Sequence, residues 1–287
     1  MSEKRRRAII RRRIFIAFLI AVLLAVTALA VVVTAVIKHG FGNKADTSSE
    51  QQAFETSSQT SSQTSSQSSE PSVFVTPTGV TLDADFKRLL LTNADNPLPD
   101  DYGANVRNYL VEIDENYRNN NNVTQIHSDV YPYITAMVAA AKADGVDLRV
   151  WSPFRSYAIQ KDLFLKQVER SGGNEEAAAT VVARPGTSEH NTGLCADFNM
   201  ASDTFETTPM YEWMCENAEN YGFILRYPKE KQDITGVIYE SWHWRFVGIN
   251  TAKEMNNLGL TLEEYIELKG IDPASDMNGD DSANRNN

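Results

Sequence analysis

Hydrophobic and polar positions divide the chain into four regimes. Residues 14–37 form an unbroken apolar run without a charge. Residues 38–79 are short of apolar side chains and repeat Ser-Ser-Gln-Thr at 57–60 and 61–64. Ordering such a stretch costs chain entropy with little burial in return, so a flexible linker is expected. Residues 80–270 carry apolar positions at helix and strand spacing, and the tail 271–287 is polar again and expected to be disordered. Within the central block, Ile134, Met137, Val138 and Ala141 recur at helical spacing, which predicts a helix over 130–143 with Ser128 as its cap and Gly145 past its end. Further helices are predicted over 83–91, 156–168 (opened by Ser156), 175–183 (stopped by Pro185-Gly186), 209–221, 250–257 and 262–268. Short apolar runs at 148–151, 194–198, 222–225, 237–239 and 244–246 read as strands. Helices outnumber strands and the adjacent strands come late. The expected fold is α+β, a small and mainly antiparallel sheet flanked by helices.

Charge adds a topology to this pattern. The net charge is −11, which argues against a nucleic-acid partner. Residues 1–38 nevertheless hold eight Lys/Arg against one Asp/Glu, whereas residues 39–287 hold 19 against 37. The apolar run of 24 residues would make a helix of about 36 Å, enough to cross a hydrocarbon core of about 30 Å with some tilt. Seven of the basic residues precede it, so the segment 1–13 is expected to stay cytoplasmic and everything after the helix 14–37 to lie outside. Ala28-Leu29-Ala30 resembles a signal-peptide cleavage site, but the apolar run continues past it, and its length favours an uncleaved anchor. Outside the cell the two cysteines, Cys195 and Cys215, are equally compatible with a disulfide and with free thiols.

Two clusters within the domain carry candidate chemistry. Residues 188–197 read Ser-Glu-His-Asn-Thr-Gly-Leu-Cys-Ala-Asp, placing His190 seven residues before Asp197. That is too far for one helical turn, but Gly193 permits a sharp bend that would bring the following strand back beside His190. Strand alternation then points Cys195 and Asp197 to one face. Residues 240–245 read Glu-Ser-Trp-His-Trp-Arg, with Glu240 three residues before His243. Two imidazoles and one carboxylate with an open fourth position form a catalytic zinc ligand set, and the remaining glutamate could serve as general base. Each spacing by itself is equally well explained by capped turns and polar strand ends. His39 abuts the apolar run, and His127 reads as a loop or capping residue. The aromatic residues Trp213, Tyr221, Phe223, Trp242 and Trp244 read as core and cleft wall.

Several motifs occurring in order are more specific than any one of them. Asn96-Pro97-Leu98-Pro99, Ser152-Pro153-Phe154-Arg155-Ser156-Tyr157 with Gln160, residues 188–197, residues 221–228 and Glu240-Ser241-Trp242-His243 together resemble the VanY-type D-alanyl-D-alanine carboxypeptidases. That family shares its fold with the dipeptidase VanX and the Hedgehog signalling domain. The resemblance covers about residues 85–260 and implies one zinc ion bound by His190, Asp197 and His243. It implies Glu240 as the base that moves a proton from water to the leaving amine, and Arg155 as the cation on the scissile carbonyl. Gln160, Ser188 and Tyr227 would contact the peptide. The implied activity is removal of the terminal D-Ala from peptidoglycan stem pentapeptides by a monomeric catalytic domain. An LD-carboxypeptidase acting on tetrapeptide stems and a non-catalytic wall-binding module of the same fold are the alternatives. This sequence departs from the family at Pro153-Phe154, where Gly-Tyr is frequent, and at Cys195, where a small residue such as Ala is common. Cys195 falls on the metal-facing side, but the three expected ligands are already present without it.

Overall fold

Four antiparallel strands that are distant in sequence make the central sheet of the computed structural model, which describes residues 72–275. They are β5 (Val150–Ser152), β6 (Cys195–Phe198), β7 (Phe223–Leu225) and β8 (His243–Phe246), in the spatial order β5-β6-β8-β7. Two smaller antiparallel pairs precede them, β1 (Val73–Val75) with β2 (Thr81–Asp83) and β3 (Leu110–Glu112) with β4 (Gln125–His127). The helices are α1 (Tyr102–Asn105), α2 (Tyr131–Ala143), α3 (Tyr157–Arg170), α4 (Glu175–Ala179), α5 (Pro209–Asn217), α6 (Gln232–Thr235), α7 (Ile249–Leu258) and α8 (Leu262–Lys269). The expected α+β class with a small antiparallel sheet is what forms. The predicted segments 1–13 and 14–37, most of the linker and most of the tail lie outside the described residues. Among the described residues no helix is long and apolar enough to cross a membrane.

Period-two alternation gives the sheet two unlike faces. Ala196 and Phe198 of β6 and Trp244 and Phe246 of β8 join a core with Ile134, Met137 and Ala141 of α2. The residues between them, Cys195, Asp197, His243 and Arg245, point the other way and are also buried. Burial on both faces means that whatever polar groups line the second face must find partners or a ligand.

Helix boundaries follow capping chemistry. Ser156 caps α3 by accepting from the Ile159 amide, as expected, and Thr261 forms a reciprocal capping box with Glu264 at the start of α8. Ser128 does not cap α2, whose start at Val130 has no side-chain cap and carries Pro132 in its first turn. The helix expected over 175–183 stops at Ala179.

Three other expectations fail for identifiable reasons. Residues 83–91 are not a helix. Asp83 Oδ1 accepts from the amides of Asp85 and Phe86 at 2.9 and 3.2 Å, and the chain then runs extended. Leu90 enters the core beside the sheet while Leu89 and Leu91 enter a second one with Val247, Met255 and Ile266. An extended strand reaches two cores on opposite sides, which a single helical stripe does not. The carbonyls of Arg88 and Leu90 are satisfied by the Arg245 guanidinium at 3.3 and 2.8 Å. Residues 237–239 form no strand, because the Ile238 amide donates to the Thr180 carbonyl instead of to a ladder. Strand β1 of the β1–β2 hairpin lies within residues counted as linker, so ordered structure begins before residue 80. Cys195 and Cys215 are both free thiols, the first buried in β6 and the second exposed on α5, so the disulfide alternative is not realised.

Candidate metal centre

Register in the sheet builds the site. On adjacent strands Asp197 of β6 stands directly opposite His243 of β8, and Cys195 stands opposite Arg245. Directly opposed residues bring their Cβ atoms within roughly 4.5–5.5 Å, so Asp197 and His243 meet because of pairing that links residues 46 positions apart. His190 lies in the single turn Glu189–Asn191 that precedes β6. Gly193 supplies the bend between them with φ of 71°, and a Cβ there would lie 2.9 Å from the backbone nitrogen of His127. The seven-residue gap from His190 to Asp197 is closed in this way.

Asp197 Oδ1 lies 3.3 Å from His190 Nε2 and 3.2 Å from His243 Nδ1. The two imidazole rings stand 4.7 Å apart and nearly perpendicular. Metal–ligand bonds of about 2.0–2.1 Å at tetrahedral angles separate donor atoms by roughly 3.3 Å, so both separations match edges of a zinc tetrahedron. His190 Nδ1 is 2.7 Å from the Pro153 carbonyl, which can only accept. That fixes the proton on Nδ1 and leaves the Nε2 lone pair free to bind a cation. His190 Nε2 and Asp197 Oδ1 are buried without a hydrogen-bond partner, a costly arrangement that an ion between them would relieve. Cys195 adds its sulfur, which with His190 and His243 offers donor atoms all within 4.8 Å of one another.

The electrostatics agree with a cation-binding cluster. Burial would lower the His243 imidazole, yet Cys195, Asp197 and Glu189 around it raise it well above its ordinary value. Burial would raise the Asp197 carboxyl, but His190 and His243 hold it far below the usual carboxylate range. The Cys195 thiol is also raised by burial, and the neighbouring imidazoles outweigh that and bring it down to about 7.

The predicted catalytic pair flanks these donors. Glu240 is buried with Oε2 at 3.5 Å from His243 Nδ1, and burial pushes its carboxyl up to about 7 against the pull of His243. A carboxylate poised near neutrality next to a metal position is suited to proton transfer. Arg155 places Nη2 at 3.7 Å from Asp197 Oδ2. Its backbone is tied to the His190 motif, the amide donating to the His190 carbonyl and its carbonyl accepting from Asn191 Nδ2. Arg155 Nε is buried without a partner.

Of the three predicted peptide contacts, Ser188 is buried two residues before His190. Tyr227 packs its ring 4.9 Å from that of His243 and lies under the Arg226 guanidinium. Gln160 is buried in α3 and donates its amide to the Ala183 carbonyl at 2.7 Å, so that half of the side chain holds the loop after α4, while Oε1 has no partner. His127 stands outside the cluster at the end of β4 rather than in a loop, stacked on Tyr109 and accepting from the Asp129 amide.

Sequence reasoning gave no role to Glu189, Arg226 or Arg245, all fully buried. Glu189 Oε1 accepts from Arg226 Nε at 2.7 Å and from Arg245 Nη1 at 2.9 Å, while Oε2 lies 3.5 Å from His243 Nε2. Arg226 also forks onto Glu263 of α8. Burial would raise the Glu189 carboxyl, and the two guanidinium groups instead hold it well below its ordinary range. Glu189 thus lies behind the imidazole whose other nitrogen faces Asp197, near Nε2 without a hydrogen bond to it. The available signal was a charge set inside apolar runs, as with Arg245 between Trp244 and Phe246.

Known proteins share these segments. Residues 123–249 match the family model described as VanY, D-alanyl-D-alanine carboxypeptidase. The putative carboxypeptidase YodJ of Bacillus subtilis is 37% identical over 62% of this chain and 67% of its own length. The solved LD-carboxypeptidase LdcB is 38% identical with a TM-score of 0.56, covering 62% of this chain and 84% of that one. A mutant of the vancomycin-resistance D,D-pentapeptidase VanY, solved with Zn(II), is 36% identical with a TM-score of 0.51, covering 62% and 98%.

Proposed function

Because the chain belongs to the VanY family of D-alanyl-D-alanine carboxypeptidases, we propose that it is a zinc D,D-carboxypeptidase removing the terminal D-Ala from peptidoglycan stem pentapeptides. The observation that carries this reading is Asp197 Oδ1 at tetrahedral-edge distances from both His190 Nε2 and His243 Nδ1, with Glu240 beside them. Zinc held there supplies Lewis acidity and a nucleophile available at neutral pH. Glu240 takes the proton of the attacking water and returns it to the leaving amine. Arg155 meets the negative charge that develops on the carbonyl oxygen, where a fixed cation does most for the transition state. Ser188 and Tyr227 flank the bound peptide, and the free Gln160 Oε1 can accept one further hydrogen bond from it. The same proposal anchors the domain outside the membrane through residues 14–37, supported by the length of that run and the basic residues before it.

The LD alternative is supported by the LdcB likeness, whose identity and TM-score are comparable with those of the D,D-enzyme. The two readings separate by product. Mass spectrometry is expected to detect D-Ala released from a pentapeptide ending in D-Ala-D-Ala, abolished by chelator and restored by zinc. Release from the tetrapeptide alone establishes the LD activity, and chelator-resistant turnover refutes the metal mechanism. Arg155→Ala is expected to reduce kcat by about 10²–10³-fold, the effect of losing one oxyanion donor, with zinc content unchanged by metal analysis.

A further inference from the structure

Among the described residues Cys195 is the one sulfur donor grouped with the two imidazoles, and the strand geometry sets it on the same face as Asp197. Residues i and i+2 of a strand project from one face, so Cys195 and Asp197 of β6 both stand on the side from which His190 and His243 approach. Cys195 is fully buried and free. Its sulfur, one nitrogen of His190 and one of His243 lie within 4.8 Å of one another. His190 Nε2 and Asp197 Oδ1 are buried there without partners, so the cluster already demands a cation independently of the thiol.

Two donor sets therefore overlap on the same pair of imidazoles. One is completed by a hard carboxylate oxygen, at the 3.2–3.3 Å separations that suit zinc. The other is completed by a thiol sulfur, with its donor atoms all within 4.8 Å of one another, which suits a softer ion. We propose that Cys195 gives this chain a second mode of metal binding, in which His190, Cys195 and His243 hold a thiophilic cation such as Cd2+. Binding breaks the Sγ–H bond, forms a metal–sulfur bond and releases the proton to solvent. In this mode the thiolate completes the donor set with the two imidazoles in place of Asp197.

The inference rests on the metal-centre reading of the proposed function, and its test is arranged to separate the two. The full chain, wild type and Cys195→Ala, is stripped of metal and titrated with Zn2+ and with Cd2+, following proton release and thiolate-to-metal ultraviolet absorption. Wild type is expected to develop the thiolate band with Cd2+, and the variant to show none. The variant is expected to lose the band and to bind Cd2+ more weakly by roughly 100-fold or more, beyond what loss of a merely supporting contact costs, while Zn2+ affinity moves by less than about tenfold. Cys215 is present in both proteins and so cancels from the difference. Equal Cd2+ affinities with no difference in band overturn the inference and leave the zinc site standing. Failure of both proteins to bind either ion overturns the zinc reading as well.

Discussion

Glu240→Gln is expected to lower kcat for D-Ala release by about 10²–10⁴-fold, the range for loss of a positioned general base. Zinc stoichiometry should stay unchanged, because the three donors that fit the ion are His190, Asp197 and His243. The substitution keeps the volume of a buried side chain that sits 3.5 Å from His243 Nδ1, and it removes only the ability to accept a proton. No other carboxylate in the cluster is equipped to replace it. Asp197 faces the metal position and is held in its ionised form by two imidazoles. Glu189 is locked between Arg226 and Arg245. The measurement is single-turnover hydrolysis alongside metal content. Activity within tenfold of wild type would mean that proton transfer is done elsewhere, and loss of zinc would mean that Glu240 holds the metal instead.

Glu189→Ala should destabilise the fold by about 3–5 kcal/mol, the cost of breaking a buried ion pair by removing one partner. The carboxylate is fully buried and neutralises two guanidinium groups that are themselves fully buried. Arg226 would keep Glu263, and Arg245 would keep the carbonyls of Arg88 and Leu90, but no anion would remain beside Arg245. Urea denaturation of the purified chain reads the change as a lower midpoint with an unaltered slope. A stability within a few tenths of a kcal/mol of wild type would show that solvent or a backbone shift relieves the charges. The same network ties α8 through Arg226 to the backing of His243, so the C-terminal helix supports the metal centre without reaching it.

Much of the site was legible before the fold. His190, Asp197, His243, Glu240 and Arg155 were named from motif order, and all five side chains converge. What made them legible was chemical type: metal and proton-transfer roles admit few residue types, and histidine is scarce in this chain, with four in all. Gln160 was legible only as part of the motif. Its burial and its bond to the Ala183 carbonyl depend on how α3 packs on the loop after α4, which no local spacing encodes. Residues 83–91 misled for the opposite reason. Three consecutive leucines suit a helix locally, and only the presence of two separate cores makes the extended chain the better solution.

By itself the sequence determined the α+β character, the bend at Gly193 and the inventory of donors, because apolar period, glycine freedom and side-chain chemistry are local properties. Tertiary structure decided the rest. The pairing of β6 with β8 sets Asp197 against His243 and aligns Cys195 with them, and the packing of α8 and residues 88–90 around Arg226 and Arg245 decides that Glu189 is an internal counter-ion. Both outcomes depend on strand register and on which buried charges meet, and those are fixed by contacts between residues dozens of positions apart.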